Sequence, residues 1–279
     1  MGNCVGITKG MFEQEHRKGR VVMGYLLGLA IVGYWMSNFL KLALDTGEPI
    51  NILETFCVVE QHYVNLLFLI LGWLFVIADA PFIKGNTYLL LYRCGRRCWN
   101  MGMVFYILIQ DFFYTAVMAV FTVVISSFIG YIGNIWSSPV YSLAMDVGNH
   151  IGVKYDITFP YVMMMKTMTV PQAFAVTFLF LYLYLAFLGV LLYVCNLLFP
   201  GIAGIVLVLG VHLLGYLQMM NGHTDFSLLA RAVPGNFIDG SRCFWLSVVL
   251  FLGLIAVLVI LSAILIKKVD FKAGAEVDG

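Results

Sequence analysis

The sequence predicts an all-α, polytopic membrane protein with six transmembrane helices and both termini on the cytoplasmic side. Three observations carry that prediction. Of its 279 residues, 62% are hydrophobic and only 11% charged, with a mean hydropathy of +0.94. A soluble domain is about 25% charged, so this chain has too little polar surface to cover a globule in water. The apolar residues are gathered into six runs long enough to cross a bilayer. The clusters of lysine and arginine that flank those runs fall on one side, while the external loops have mixed or acidic charge.

A helix rises about 1.5 Å per residue, so about 20 apolar residues cross a hydrocarbon core of roughly 30 Å. The first run spans Val21 to Leu40, the second His62 to Ile77, and the third Gly102 to Ile129. The fourth spans Gln172 to Cys195, the fifth Gly201 to Met219, and the sixth Cys243 to Ile266. The second is short and carries Gln61, His62 and Asn65 at its outer end. All six are continuously apolar, whereas barrel strands alternate over about ten residues. Backbone groups in lipid bond within their own segment, which selects the helix.

Orientation follows from basic residues. Lys9, Arg17, Lys18 and Arg20 precede the first run. Lys84, Arg93, Arg96 and Arg97 lie between the second and third, and Lys267 and Lys268 follow the sixth. Six crossings place all three groups inside. Asp45, Glu48, Glu54 and Glu60 face one Lys41 between the first two runs, so that loop reads as external. The organisation is a cytoplasmic interfacial segment (1–20), one membrane domain (21–266) and a cytoplasmic tail (267–279). The first run is too long, and lacks the cleavage site, for a removed signal peptide. Met1-Gly2-Asn3-Cys4 lacks the Ser or Thr that a lipidation signal wants at Gly6.

Two external stretches can hold short helices. One is 138–151, with interfacial aromatics Trp136, Tyr141, Tyr155, Phe159 and Tyr161 around it. The other is Ser227 to Ala232, either interfacial or re-entrant.

No P-loop, HExxH or GxSxG occurs, so the chain is not read as an enzyme by itself. The six cysteines form no framework and are expected as free thiols. Cys94 and Cys98 are four apart and can share a helix face, but two thiols make a poor zinc site. Met163, Met164, Met165 and Met168 can bind Cu(I) or simply fill irregular apolar surface. The five histidines are scattered, and only His212 lies well inside a run, which argues against a buried haem. No cofactor and no nucleic-acid partner is expected for this chain.

Few polar groups lie at membrane depth. The third run holds Gln110, Asp111, Tyr114, Thr115, Thr122, Ser126 and Ser127. A charge at the bilayer centre costs roughly 2.5–3.5 kcal/mol, so Asp111 should face protein or water. It either lines a substrate path with Gln110, Tyr114 and His212, or snorkels inward, or pairs with a neighbouring helix. His212 has the same choice between path and structural hydrogen bond.

The stretch from Asp79 to Met103 is the most informative. Pro81 ends the second run. Asn86 can cap a short helix through Leu89, Leu90 and Tyr92. Gly95 breaks it, and Arg96, Arg97 and Trp99 anchor the next crossing. An amphipathic helix with basic flanks is either an anionic-lipid anchor or a docking element.

The D-x-P-F turn at Asp79, the short apolar helix, and R-x-G-R-x-x-W from Arg93 to Trp99 resemble permease subunits of ABC-2 type exporters of Gram-positive bacteria. Asn134-x-Trp136-Ser137, Phe187-Leu-Gly and Cys195-Asn-Leu-Leu agree with it. The resemblance covers about residues 60 to 268. It implies a type V exporter-like permease in the bacterial plasma membrane, with 86–99 as a coupling helix. Asn86, Leu89, Leu90, Tyr92, Arg93, Arg96, Arg97 and Trp99 would then dock on a separate ATPase. It also implies a helix over Met11 to Arg20, two copies of the ATPase carrying ATP and Mg, and a second permease, identical or paralogous. The cargo would be amphipathic: a peptide, a lipid-like molecule or a drug. The alternatives are a non-transporting sensor or immunity protein that binds a peptide or lipid, and an intramembrane lipid-modifying enzyme using Gln110, Asp111 and His212.

Overall fold

The computed structural model describes residues 2–15, 19–78, 80, 87–146, 148–199, 202–238 and 244–267. Element order is α1 (Gly2–Glu15), α2 (Gly19–Thr46), β1 (Ile50–Asn51), α3 (Glu54–Glu60), α4 (Tyr63–Ile77), α5 (Thr87–Ser126) and β2 (Gly130–Tyr131). There follow α6 (Ser138–Ala144), α7 (His150–Tyr155), α8 (Val162–Thr167), α9 (Val170–Leu198), α10 (Ala203–Met220), α11 (Leu228–Ala232), α12 (Gly235–Ile238) and α13 (Phe244–Leu265).

Five helices are long and apolar enough to cross a membrane: α2, the Cys94–Ser126 portion of α5, α9, α10 and α13. α3 and α4 pass the same test together, as a pair bent by 87°. The protein is therefore a multi-pass, all-α membrane protein. The short second run is explained by that bend. Residues 54–60, which look like external loop, form a buried helix leading into α4. Glu54 and Glu60 are correspondingly buried, at 0% and 2% exposure, while Asp45 and Glu48 stay exposed as expected.

α9 is the hub, packing against α3, α4, α5, α10, α11 and α13. Its start is set by Pro171 in the first turn and by Gln172, whose side chain accepts from the Thr169 N–H at 3.0 Å. Trp73 fixes α4 to it, donating its ring N–H to the Leu185 carbonyl at 3.1 Å. α10 and α13 instead expose most of their apolar surface, including Leu214, Leu217, Val249 and Val257, which suits a lipid-facing position.

α2 and α4 cross at glycines. A Cβ on Gly24 would lie 2.7 Å from the Gly72 carbonyl. One on Gly28 would collide with the Tyr114 hydroxyl. Gly24 and Gly28 form a G-x-x-x-G pair, which brings helix backbones into contact where lipid offers no hydrophobic drive.

One end of the bundle is capped by the short elements. β1 and β2 pair in parallel, Ile50 with Gly130 and Asn51 with Tyr131. The Glu54 carboxylate accepts from the backbone N–H groups of Asn51 and Ser137, each at 3.0 Å, and from the Ser137 hydroxyl. Charge-assisted bonds contribute roughly 1.5–3 kcal/mol each. Glu54→Gln is therefore expected to cost about 2 kcal/mol, read as a lower melting temperature, since an amide cannot accept from all three donors.

At the α3–α4 bend, Gln61 donates to the Thr177 hydroxyl (3.1 Å) and Met164 sulfur (3.3 Å) and accepts from the Gly235 N–H (3.0 Å). One side chain thereby joins the end of α3 to α8, α9 and α12. The helix expected over 138–151 is two helices, because Gly148 and Asn149 take positive φ (96° and 56°). Asp146 then caps α7, accepting from the N–H groups of His150, Ile151 and Gly152. α11 folds back along α10. Ser227 accepts from the Ala230 N–H and donates to the Gly215 carbonyl at 2.6 Å, about 8 Å inside the end of α10. The expected short helix is observed, packed against α10 and α9.

Candidate functional site

The segment read as a docking element is helical from Thr87 and interrupted at Gly95 (φ 74°, ψ 154°), beyond which the chain continues as the third crossing. The expected break at Gly95 is thus observed. A φ of 74° is open to glycine and strained for other residues. Leu89, Leu90, Tyr92 and Arg93 lie on the helical stretch before it. Asn86, Asp79, Pro81 and Phe82 lie outside the described residues. The break also separates Cys94 from Cys98, so the two thiols do not share one continuous helix face. Neither forms a disulfide, nor do Cys57 and Cys195, among the described residues.

Beyond Gly95 the residues divide. Arg96 and Arg97 are exposed, while Trp99 is 1% exposed, an anchor within the bundle and not a displayed side chain. Arg96 donates to the carbonyls of Ile266 (3.2 Å) and Lys267 (2.7 Å), closing the C-terminal end of α13. The next turn carries a node absent from the expected residues. Asn100 accepts from the Tyr193 hydroxyl at 2.7 Å and donates to the Ser262 hydroxyl at 3.0 Å. It joins α5 to α9 and α13 one turn past the basic residues. Asn196 donates to the Ala80 carbonyl at 2.6 Å, holding the end of α4 to α9. Thr8 of α1 donates to the Gly102 carbonyl at 3.1 Å, and Phe12 packs on Tyr106 with ring centroids 4.8 Å apart. The N-terminal helix, which runs Gly2–Glu15 instead of starting at Met11, therefore shares this end of the bundle. The start of the third crossing and the end of the sixth lie there too. The tail 268–279 lies outside the described residues.

The intramembrane polar residues fall into two places. Gln110, Asp111 and Tyr114 share one region of α5. Gln110 donates to the Tyr25 hydroxyl at 3.1 Å, and Tyr114 donates to the Leu69 carbonyl at 3.0 Å. Asp111 is 0% exposed, near the middle of Cys94–Ser126, and among the described residues neither of its oxygens has a hydrogen-bond partner. It neither snorkels to an interface nor pairs with a neighbouring helix. His212 is elsewhere, between α9 and α4. Its Nδ1 lies 2.8 Å from the Tyr184 hydroxyl and its Nε2 3.3 Å from the Leu67 carbonyl. With Nε2 donating to the carbonyl, Nδ1 accepts from the phenol, so both ring nitrogens are satisfied. This is the structural arrangement. Tyr184→Phe is expected to lower stability by about 1 kcal/mol, measured by thermal unfolding in detergent, because it orphans a buried nitrogen.

Comparison with protein-family models, curated proteins and solved structures finds no match to this chain. What the protein does must therefore be argued from its own residues.

Among the described residues, no group of three or more His, Cys, Asp or Glu side chains stands together to hold a metal. Met163, Met164 and Met165 are consecutive on one turn, so their thioethers point in different directions. Met163 is exposed, while Met164 is buried and accepts from Gln61. That is how methionine packs an irregular cap. Two further features were open to sequence reasoning. The G-x-x-x-G at Gly24 and Gly28 is a pattern in plain view. Asn100, a single amide two residues before an apolar run, is a buried polar group that must find partners.

Proposed function

We propose that this chain is the membrane-spanning permease subunit of an ABC exporter, moving an amphipathic peptide, lipid-like molecule or drug across a bacterial plasma membrane. A separate ATPase docks on residues 86–99. The observation that carries the reading is the short helix beginning at Thr87. It is set off from the third crossing at Gly95 and followed at once by Arg96 and Asn100, which bind the sixth and fourth crossings. A push on that helix is delivered into three crossings within two turns, as a nucleotide-driven transporter needs. A lipid anchor has no use for such a linkage. Six crossings with both ends cytoplasmic agree with the basic residues gathered at this end.

The working transporter holds two ATPase subunits and two permeases. Closure of the ATPase dimer on ATP moves the docking helices, and the permease interface opens outward. In this conformation Gln110, Asp111 and Tyr114 are buried inside the protomer, so the path forms when helices part. Asp111 is the group assigned to that path and His212 to the scaffold. Asp111→Leu removes an unpartnered buried carboxyl. It is expected to raise stability by up to roughly 2.5–3.5 kcal/mol, read as a higher melting temperature, while transport falls. Unchanged transport in that variant would remove Asp111 from the path.

The reading is tested by purifying the tagged chain from its native membrane in mild detergent. A stoichiometric P-loop ATPase in the eluate supports it. A clean preparation without ATP hydrolysis transfers the weight to a receptor or lipid enzyme.

A further inference from the structure

We propose that Glu60 and Asn65 form a binding site for a monovalent metal cation of the sodium class, at the break between α3 and α4. The inference is independent of the exporter reading.

The break lies within the bundle. α3 ends at Glu60 and α4 begins at Tyr63, with their axes 87° apart. Broken helices at membrane depth bring helix-end carbonyls beside side-chain oxygens, and such places hold cations in membrane proteins generally. Glu60 is 2% and Asn65 0% exposed. The Asn65 amide N–H donates to Glu60 Oε2 at 3.1 Å. That single bond leaves the Glu60 Oε1 and the Asn65 Oδ1 without a hydrogen-bond partner among the described residues.

Glu54, on the same short helix, shows what a purely structural carboxylate looks like here. Three donors fill it, from Asn51 and Ser137. Glu60 has one donor, and a buried carboxylate with one donor is incomplete. The open atoms are acceptors, so a donor or a cation completes them, and only a cation also offsets the charge of a buried carboxylate.

The chemistry of the open atoms selects the guest. A carboxylate and an amide carbonyl are hard oxygen donors, suited to alkali and alkaline-earth ions and not to soft metals. Charge selects among those. Tyr114 is the ionisable side chain in electrostatic reach of Glu60 from α5, and its hydroxyl is committed to the Leu69 carbonyl. Asp111 is in electrostatic reach of that same tyrosine and shares no hydrogen bond with Glu60 among the described residues. The His62 ring is turned onto Trp35, with centroids 4.2 Å apart. One carboxylate is neutralised by one monovalent ion, whereas a divalent ion would leave an uncompensated charge in a dry interior.

The test uses the full chain purified in detergent, with thermal unfolding followed in sodium, potassium and choline chloride at equal ionic strength and pH. Sodium is expected to raise the midpoint by several degrees over choline, because a ligand that binds the folded state stabilises it. The shift should vanish in Glu60→Gln and persist in Glu54→Gln, whose carboxylate is already filled. If Glu60→Gln does not fold, Glu60→Asp serves, and it should need more sodium for the same shift. Equal midpoints in sodium and choline overturn the proposal. So does a sodium shift that survives Glu60→Gln or is unaltered in Glu60→Asp. A midpoint that responds to pH but not to sodium overturns it too, by assigning the site to a proton.

Discussion

Replacing Leu90 and Tyr92 together by Asp is expected to abolish ATP-driven transport while leaving the membrane domain folded. Both residues lie on the helix between Thr87 and the break at Gly95. An apolar side chain that leaves water at an interface contributes about 2 kcal/mol, so losing two weakens docking by about 4 kcal/mol, several hundredfold in affinity. The fold should survive, because the contacts that hold this end of the bundle come from Arg96, Trp99, Asn100 and Thr8, all outside the substituted turn. Size-exclusion profile and melting temperature should match the parent, while ATPase recovery on the tagged chain drops to background. Full recovery of ATPase with the double variant would remove the docking role from this helix.

Gly72→Leu is expected to have the largest effect on stability. A Cβ at position 72 would lie 2.5 Å from the Tyr114 hydroxyl, 2.8 Å from the Gly24 carbonyl and 3.0 Å from the Gly28 nitrogen. Two of these are backbone atoms of a neighbouring crossing, and the third is held to the Leu69 carbonyl, so none moves without separating helices. Overpacking of this kind costs about 3 kcal/mol or more, enough to consume much of the stability of a single domain. Gly253→Leu is the matched control, because a Cβ there meets nothing within 4 Å. The account expects the first variant to lose its folded fraction in a detergent melting assay and the second to keep it. Equal behaviour would mean that the α2–α4 crossing is not closely packed.

The crossings were legible in the sequence because lipid imposes a long apolar run on any helix that spans it. Observed ends fall within about three residues of the runs for α9, α10 and α13, while α2 continues from the expected Leu40 to Thr46. The third crossing begins earlier than its apolar run, since Arg96 and Asn100 find carbonyl and hydroxyl partners at the bundle end. Helix boundaries were legible at Gly95, which breaks the helix with its positive φ, and at Ser227, where the expected short helix begins. The bend of the second crossing was not. Its polar residues Gln61, His62 and Asn65 marked the place. The buried destination of Glu54 and Glu60 depends on Ser137, from a segment about 80 residues away, and on Asn65 beyond the bend. Charge counting along a loop assumes that its carboxylates face water, and two of these four do not. For the same reason the sequence paired His212 with Asp111 as possible path residues, while the fold sends His212 to Tyr184 and leaves Asp111 alone.

The central claim is that an ATPase sits on the helix that leads into the third crossing. Site-specific photocrosslinking from position 90, carried out in native membranes, tests it most directly. The account predicts one dominant protein adduct whose partner contains a P-loop, formed from position 90 and not from a matched probe at exposed Val153 in α7. Adducts to lipid alone from position 90, or the same protein adducts from both positions, would contradict it.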